Sequence, residues 1–203
     1  MSSLNHISDL PIFPLNLTVL PKDIVPLHIF EDRYKRLISS SIKNKLPFGI
    51  VYKDKNGSFV DIGCSVNVNN VLKLYDDGRY DLTVKGENRI KILSSDKRND
   101  LWRSQVCLLD ESYNDIDANF FKSIHDKYLR LIMTLSKNIN IEFELNKKVS
   151  YDFTKNVILP NDIKQHLIKL ENEKQRLLFI NNFIDDMLKI NQGNLSEANI
   201  DLN

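Results

Sequence analysis

Glycine is scarce in this sequence. There are six in 203 residues, at positions 49, 57, 63, 78, 86 and 193, with no G-x-G and none followed by lysine. A phosphate loop needs glycines that let backbone N–H groups wrap phosphate, and a lysine behind them, so nucleotide hydrolysis has no seat here. Cysteine is scarcer still. Cys64 and Cys107 lie far apart and outside any metal-ligand spacing, so neither a disulfide framework nor a cysteine zinc site is expected. Long apolar runs are also missing. No run approaches the ~20 residues of a membrane-spanning helix, and the N-terminus lacks a basic segment followed by an apolar one. No membrane association and a reducing, cytoplasmic setting are the expectation.

An excess of charge of one sign is absent too. Lys and Arg number 28, Asp and Glu 27, for a formal net charge of +1. Residues 1–110 carry 16 basic and 13 acidic side chains, and residues 111–203 carry 12 and 14. Neither half has the strong positive field of a nucleic-acid binder. The nearest approach is "YKRLISSSIKNK", with Tyr34, Lys35, Arg36, Lys43 and Lys45, which reads equally well as a solvated helix face.

What is present changes character near residue 110. Before it, β-branched and aromatic residues come in short alternating runs: "FGIVY" (48–52), "SFVDIG" (58–63), "SVNVNNVLKLY" (65–75), "RYDLTVKGENRIKIL" (79–93) and "WRSQVCLLDE" (102–111). Asn56-Gly57 and Asp77-Gly78 are hairpin turns. The break in phase after Val68 suggests a bulge, and Gly86 suggests a bend. Six or more short strands so arranged predict a small antiparallel barrel or sandwich. One helix interrupts them, with Tyr34, Leu37, Ile38, Ser41 and Ile42 on its inner face, ending by Pro47.

After residue 110 the period becomes 3.6. Ile116, Phe120, Ile124, Tyr128, Leu131 and Leu135 predict a helix started by Asp115 or Asp117. A second helix is expected over 142–157, a third after Pro160 capped by Asn161 or Asp162, and a last one carrying Leu177, Ile180, Phe183 or Ile184, and Leu188 inward. Gly193 reads as a helix end. The predicted organisation is a β domain over 1–110, a helical subdomain over 111–192 packed on it, and a disordered tail over 193–203.

Candidate chemistry concentrates in "PLHIFEDRYKRL" (26–37), where His28, Glu31, Asp32 and Arg33 suggest an acid–base cluster. The competing reading is a joint between strand and helix. In it Asp32 caps the helix, worth ~1 kcal/mol, Glu31 adds charge near the helix's positive end, and Arg33 braces the turn. The joint reading prevails, because His28 and Glu31, three residues apart, fall at a strand-to-helix junction and not on one helical face. Cys64 has no visible base beside it and reads as a small buried hydrophobe. His125 and His166 fall at the boundaries of amphipathic helices. No catalytic residue, metal site or cofactor is assigned.

The run "LPIFPLNLTVLPKDIVPLHIFEDRYKRLI" resembles the opening of the Lon protease N-terminal, substrate-binding domain. Pro11, Pro14, Leu15, Val19, Pro21, Pro26, Leu27, Phe30, Glu31, Arg33 and Tyr34 fall where that family's pattern wants them. "IGC" (62–64), "DDGRYDLTVKGENRIKI" (76–92), "WRSQV" (102–106) and "IKQHLIKLENEKQRLLFI" (163–180) resemble later segments, with Gly63, Gly78, Arg79, Gly86 and Arg89 matching. The resemblance implies an α+β fold: a small antiparallel β pseudo-barrel of PUA-like type with one inserted helix, followed by a helical subdomain. It also implies a stand-alone substrate-recognition module without ATPase or protease parts, hence no enzyme. The partner is an unfolded polypeptide or another protein, and the state a monomer or weak homodimer. Phe30, Tyr34 and Trp102 are the aromatic candidates for peptide binding, although large aromatics at element junctions usually pack inward. The alternatives are a nucleic-acid-binding PUA-like domain and an unrecognised enzyme.

Overall fold

The computed structural model describes residues 6–111, 113, 116–135, 140–157 and 159–200, with side chains as far as Ile190. They divide into two compact units. One is drawn from Met1–Asp110 with Pro160–Lys169, the other from Glu111–Leu159 with Leu170–Asn203.

The first unit is built on strands β1 (His6–Leu15), β2 (Ile24–Ile29), β3 (Phe48–Lys53), β4 (Phe59–Leu74), β5 (Tyr80–Arg98) and β6 (Leu101–Leu108), with helix α1 (Asp32–Asn44) between β2 and β3. The sheet order is β2-β5-β4-β3-β1-β6, and β5 also pairs with β6. That extra pairing links the far strand back to β5, while β2 stays outside the ring as an edge. The result is an α+β fold with a pseudo-barrel, not a true barrel. One pair departs from the antiparallel expectation: β1 and β3 run parallel, with Ile12 beside Gly49 and Leu15 beside Tyr52. β2 and α1 form the long crossover that a parallel pair requires.

Local chemistry explains the turns. Around Gly57 and Gly78 the chain makes a turn followed by one left-handed residue, with φ of 88° and 80°. Gly57 N donates to Asp54 O, and Gly78 N to Tyr75 O. These are three-residue hairpin loops ending in glycine, the conformation that glycine alone adopts without strain. The β5–β6 turn escapes sequence reading because it uses Asn99 and Asp100, both at positive φ and without glycine. The bulge expected after Val68 is present, as pairing shifts between Val68 and Asn70. A second shift between Val71 and Lys73 leaves Leu72 unpaired and 59% exposed.

Leu10, Ile12, Val51, Ile90 and Val106 form a buried cluster inside the sheet, with Phe59 and Trp102 packed against it. Each such aliphatic side chain stabilises the fold by ~1.5–3 kcal/mol relative to exposure. α1 buries Tyr34, Leu37, Ile38 and Ser41. Ile42, expected on the same face, is instead exposed, because it lies eight residues beyond Tyr34 and so at the stripe's margin. The first unit is completed by α4 (Asn161–Lys169). Asn161 does not cap this helix. Its Oδ1 accepts from Thr18 N, while Lys164 Nζ reaches Asp23 Oδ2 at 2.8 Å and Gln165 Nε2 donates to Thr18 Oγ1 at 2.7 Å.

The second unit contains α2 (Ala118–Leu135), α3 (Ile141–Leu145), a 3-10 turn over Ser150–Thr154 and α5 (Glu173–Ile200). Asp117 Oδ1 accepts from Phe120 N, so Asp117 starts α2; Asp115 lies outside the described residues. Ile124, Tyr128, Leu131, Leu177, Ile180 and Ile184 are buried as the period predicts, but Leu135 is 47% exposed. The single helix expected over 142–157 is instead α3 plus the 3-10 turn. Asp152 Oδ2 accepts from the backbone N–H groups of Lys148 and Val149, which holds the chain out of a continuous helix. α5 runs through Gly193, where an end and a disordered tail are expected. One glycine costs a helix only ~1 kcal/mol relative to alanine. Residues 201–203 lie outside the described set.

Candidate functional site

The strand-to-helix joint is built differently from the capping expectation. Glu31, not Asp32, occupies the N-cap position, and no side chain caps the helix. Glu31 O accepts from Tyr34 N and Lys35 N, and the Glu31 carboxylate pairs with Arg33. Asp32 is the first helical residue, 82% exposed at its side chain and 3.1 Å from Lys35 Nζ. Exposed charge near a helix start and an i,i+3 pair are each worth only a few tenths of a kcal/mol. Asp32→Ala is therefore expected to lower stability by about 0.5 kcal/mol or less, read as a urea midpoint barely displaced from wild type. A loss above about 1 kcal/mol would reinstate the capping role.

His28 does not join Glu31. Its Nδ1 lies 2.6 Å from Asp81 Oδ1, and Tyr75 O–H donates to Asp81 Oδ2 at 2.6 Å. These bonds, His28 first and Tyr75 second, hold the Asp81 carboxyl below the usual carboxylate range. Arg79 and Lys73 lie over the Tyr75 ring. The three aromatic candidates separate. Phe30 is 61% exposed and stacked on His28. Tyr34 is buried and stacked on Phe13 at 3.7 Å. Trp102 is half-buried and meets Phe59 edge-on. Pro26 lies opposite Thr83 on edge strand β2, where a residue without an N–H is tolerated. Gly78 makes the β4–β5 turn, and Arg79 pairs with Asp77 there. Arg89 is buried, with its guanidinium donating to Ile168 O and Asp110 O.

Cys64 and Cys107 are buried free thiols. His125 Nε2 lies 2.8 Å from Glu144 O, against the Phe153 ring. Among the described residues no three His, Cys, Asp or Glu side chains converge as a metal site. The buried charges of the second unit are saturated by partners. Glu144 accepts from Tyr128 O–H at 2.6 Å, Lys147 Nζ at 2.9 Å and Asn156 Nδ2 at 2.6 Å. Burial first and Glu144 second push the Tyr128 hydroxyl far up. A phenol so held is a structural donor and not a proton shuttle at neutral pH.

Open surface lies instead at the C-terminal turn of α1. Lys45 there takes the left-handed conformation (φ 53°), Leu46 N donates to Ser41 O, and Pro47 follows. This stop leaves Leu46 54% exposed. A cleft of about 560 Å³ lies on one side of Leu46, lined also by β1 and the β5–β6 turn. A second of about 530 Å³ lies on the other, lined by Asn67–Val71 of β4. The sequence does not single out Leu46 or the Asn67–Val71 run as binding residues. Periodicity says which way a side chain faces, not whether anything covers it.

The model of the ATP-dependent protease La (Lon) substrate-binding domain matches residues 9–186. The chain belongs to this family. Two solved Lon N-terminal structures share the fold. The Lon N-terminal domain protein from Xanthomonas campestris has a TM-score of 0.67 at 20% identity, covering 84% of this chain and 95% of that one. The N-terminal domain of the Mycobacterium avium complex Lon protease has a TM-score of 0.67 at 16% identity, covering 88% and 99%. The substrate-binding domain is the recognition part of a Lon protease and not its catalytic part. Among the described residues no helix is long and apolar enough to cross a membrane.

Proposed function

We propose that this chain is a non-catalytic module that binds unfolded segments of other proteins, acting in the cytoplasm as an adaptor in protein quality control. The observation that carries the reading is the uncovered apolar rim at the end of α1. Ile42, Leu46 and Val71 are all exposed there, in the linings of the two clefts, in a member of a substrate-binding family. A binder of unfolded chains needs apolar surface open to solvent and polar groups that accept any backbone.

The test compares reduced, carboxymethylated α-lactalbumin with the native, disulfide-bonded protein. Binding of the unfolded form with a Kd near or below about 50 µM, about −6 kcal/mol, and none of the native form is the expected result. Equal binding of both forms, or of neither, rejects the reading.

A further inference from the structure

The two clefts share Ser41 and Leu46 among their linings, so they meet across the last turn of α1. The geometry points to a single groove for an extended polypeptide, one that selects an apolar side chain with an internal Asp or Glu close to it in the bound chain. This rests on the polypeptide-binding reading and adds the chemistry of the bound segment.

The first cleft has a buried apolar floor of Leu10, Leu37 and Leu101. Its charged lining is Arg36, Arg98 and Arg103 against Asp9. Asp9 is already engaged, with one oxygen 3.3 Å from Arg98 Nη1 and the other 3.2 Å from Arg103 Nη1. Arg98 also pairs with Asp96. Those two arginines and two acids balance. Arg36 is left over: it is exposed on α1 and pairs with no acid among the described residues. Asp32, one turn earlier, is instead at Lys35. A guanidinium beside an apolar floor offers a planar fork to a carboxylate at the point where a bound chain sheds water.

The second cleft supplies what the rest of an extended chain needs. Ile42 and Val71 are exposed apolar walls. The carboxamides of Asn67 and Asn70 have no hydrogen-bond partner among the described residues, whereas that of Asn69 donates to Thr83 Oγ1. A carboxamide both donates and accepts, so it can hold backbone N–H or C=O of any sequence. The groove thus reads backbone at one end and charge at the other, with Leu46 between as the apolar contact.

The test uses the full chain and two fluorescein-labelled, C-terminally amidated decapeptides. They are identical except that one carries Asp, and the other Asn, at a position with a leucine two residues before it and another two residues after it. Wild type is expected to bind the Asp peptide about fivefold more tightly than its twin at low salt, a preference that shrinks as salt rises. Arg36→Gln should bring the Asp peptide down to the level of the Asn peptide and leave the latter unchanged, and Leu46→Ser should weaken both. Both substitutions are at exposed positions, and unchanged thermal unfolding confirms intact folding. Equal affinity of the twin peptides for wild type, or an undiminished preference in Arg36→Gln, overturns the groove. If carboxymethylated α-lactalbumin still binds in that case, the polypeptide-binding reading stands and only the groove falls. If it does not bind, both fall.

Discussion

Arg176→Ala is expected to cost about 3–5 kcal/mol, a large fraction of the ~5–15 kcal/mol that holds an ordinary domain folded. The side chain is fully buried in α5. Its Nε lies 3.3 Å from Ser150 Oγ and 3.2 Å from Glu173 Oε2, Nη1 donates to Leu170 O at 3.1 Å, and Nη2 meets Glu111 Oε2 at 2.6 Å. The guanidinium also covers the Tyr151 ring at 5.0 Å. Truncation leaves Glu173, itself 2% exposed, as a buried carboxylate held by two neutral donors, Ser150 N and Ser150 Oγ. The penalty is that stranded charge more than a lost attraction. Arg176→Lys should recover little, since one ammonium cannot match a planar fork. Arg176→Met combined with Glu173→Gln should lose less than the sum of the single changes. Urea unfolding of the four proteins measures this, and strictly additive losses would show that the pair is not coupled.

The second large effect is expected at Gly86. A Cβ there would sit 2.2 Å from Leu20 O and 3.2 Å from Val19 Cγ1. The neighbouring backbone cannot retreat cheaply. Lys22 N donates to Gly86 O at 2.8 Å, Gly86 N donates to Asp23 O at 2.9 Å, and Asp23 in turn holds Leu20 N and Lys164. Gly86→Ala should therefore cost about 3 kcal/mol, the upper end of overpacking penalties. Gly57→Ala is the comparison. Its φ is +88° but the nearest atom to a new Cβ is 3.9 Å away, so it should show only the ~1–2 kcal/mol of a left-handed backbone. A loss at Gly86 no greater than at Gly57 would mean that the contact relaxes.

These two residues mark what sequence reading reaches. Gly86 is legible as a special position, but the reading offers a bend, while the structure gives a close approach by a segment more than sixty residues earlier in the chain. Strand alternation, glycine-ended hairpins and the α1 stripe are local signals, and each appears where the sequence puts it apart from Ile42 at the stripe's margin. The parallel β1–β3 pair has no local signature, because its partners meet only after a crossover. The Asn99–Asp100 turn lacks the glycine that marks its kind. Burial of Arg89 and Arg176 is equally silent, since an arginine in an amphipathic pattern reads as solvated. At the candidate groove, Arg36 stands out in the sequence as part of a basic helix face. Leu46 and the Asn67–Asn70 amides do not, because exposure depends on what the fold leaves uncovered.

The interleaving of the two units bears on synthesis. Residues 160–169 belong with the sheet, although the chain between 111 and 159 belongs elsewhere. A nascent chain that has emerged only to Asp110 therefore holds every strand yet lacks α4. Asp23 then has no Lys164, Thr18 has neither Asn161 nor Gln165, and Arg89 has no carbonyl at Ile168. The sheet is finished late on the ribosome, after most of the helices have already been made, and a fragment cut at the apparent boundary near 110 is an unfinished domain.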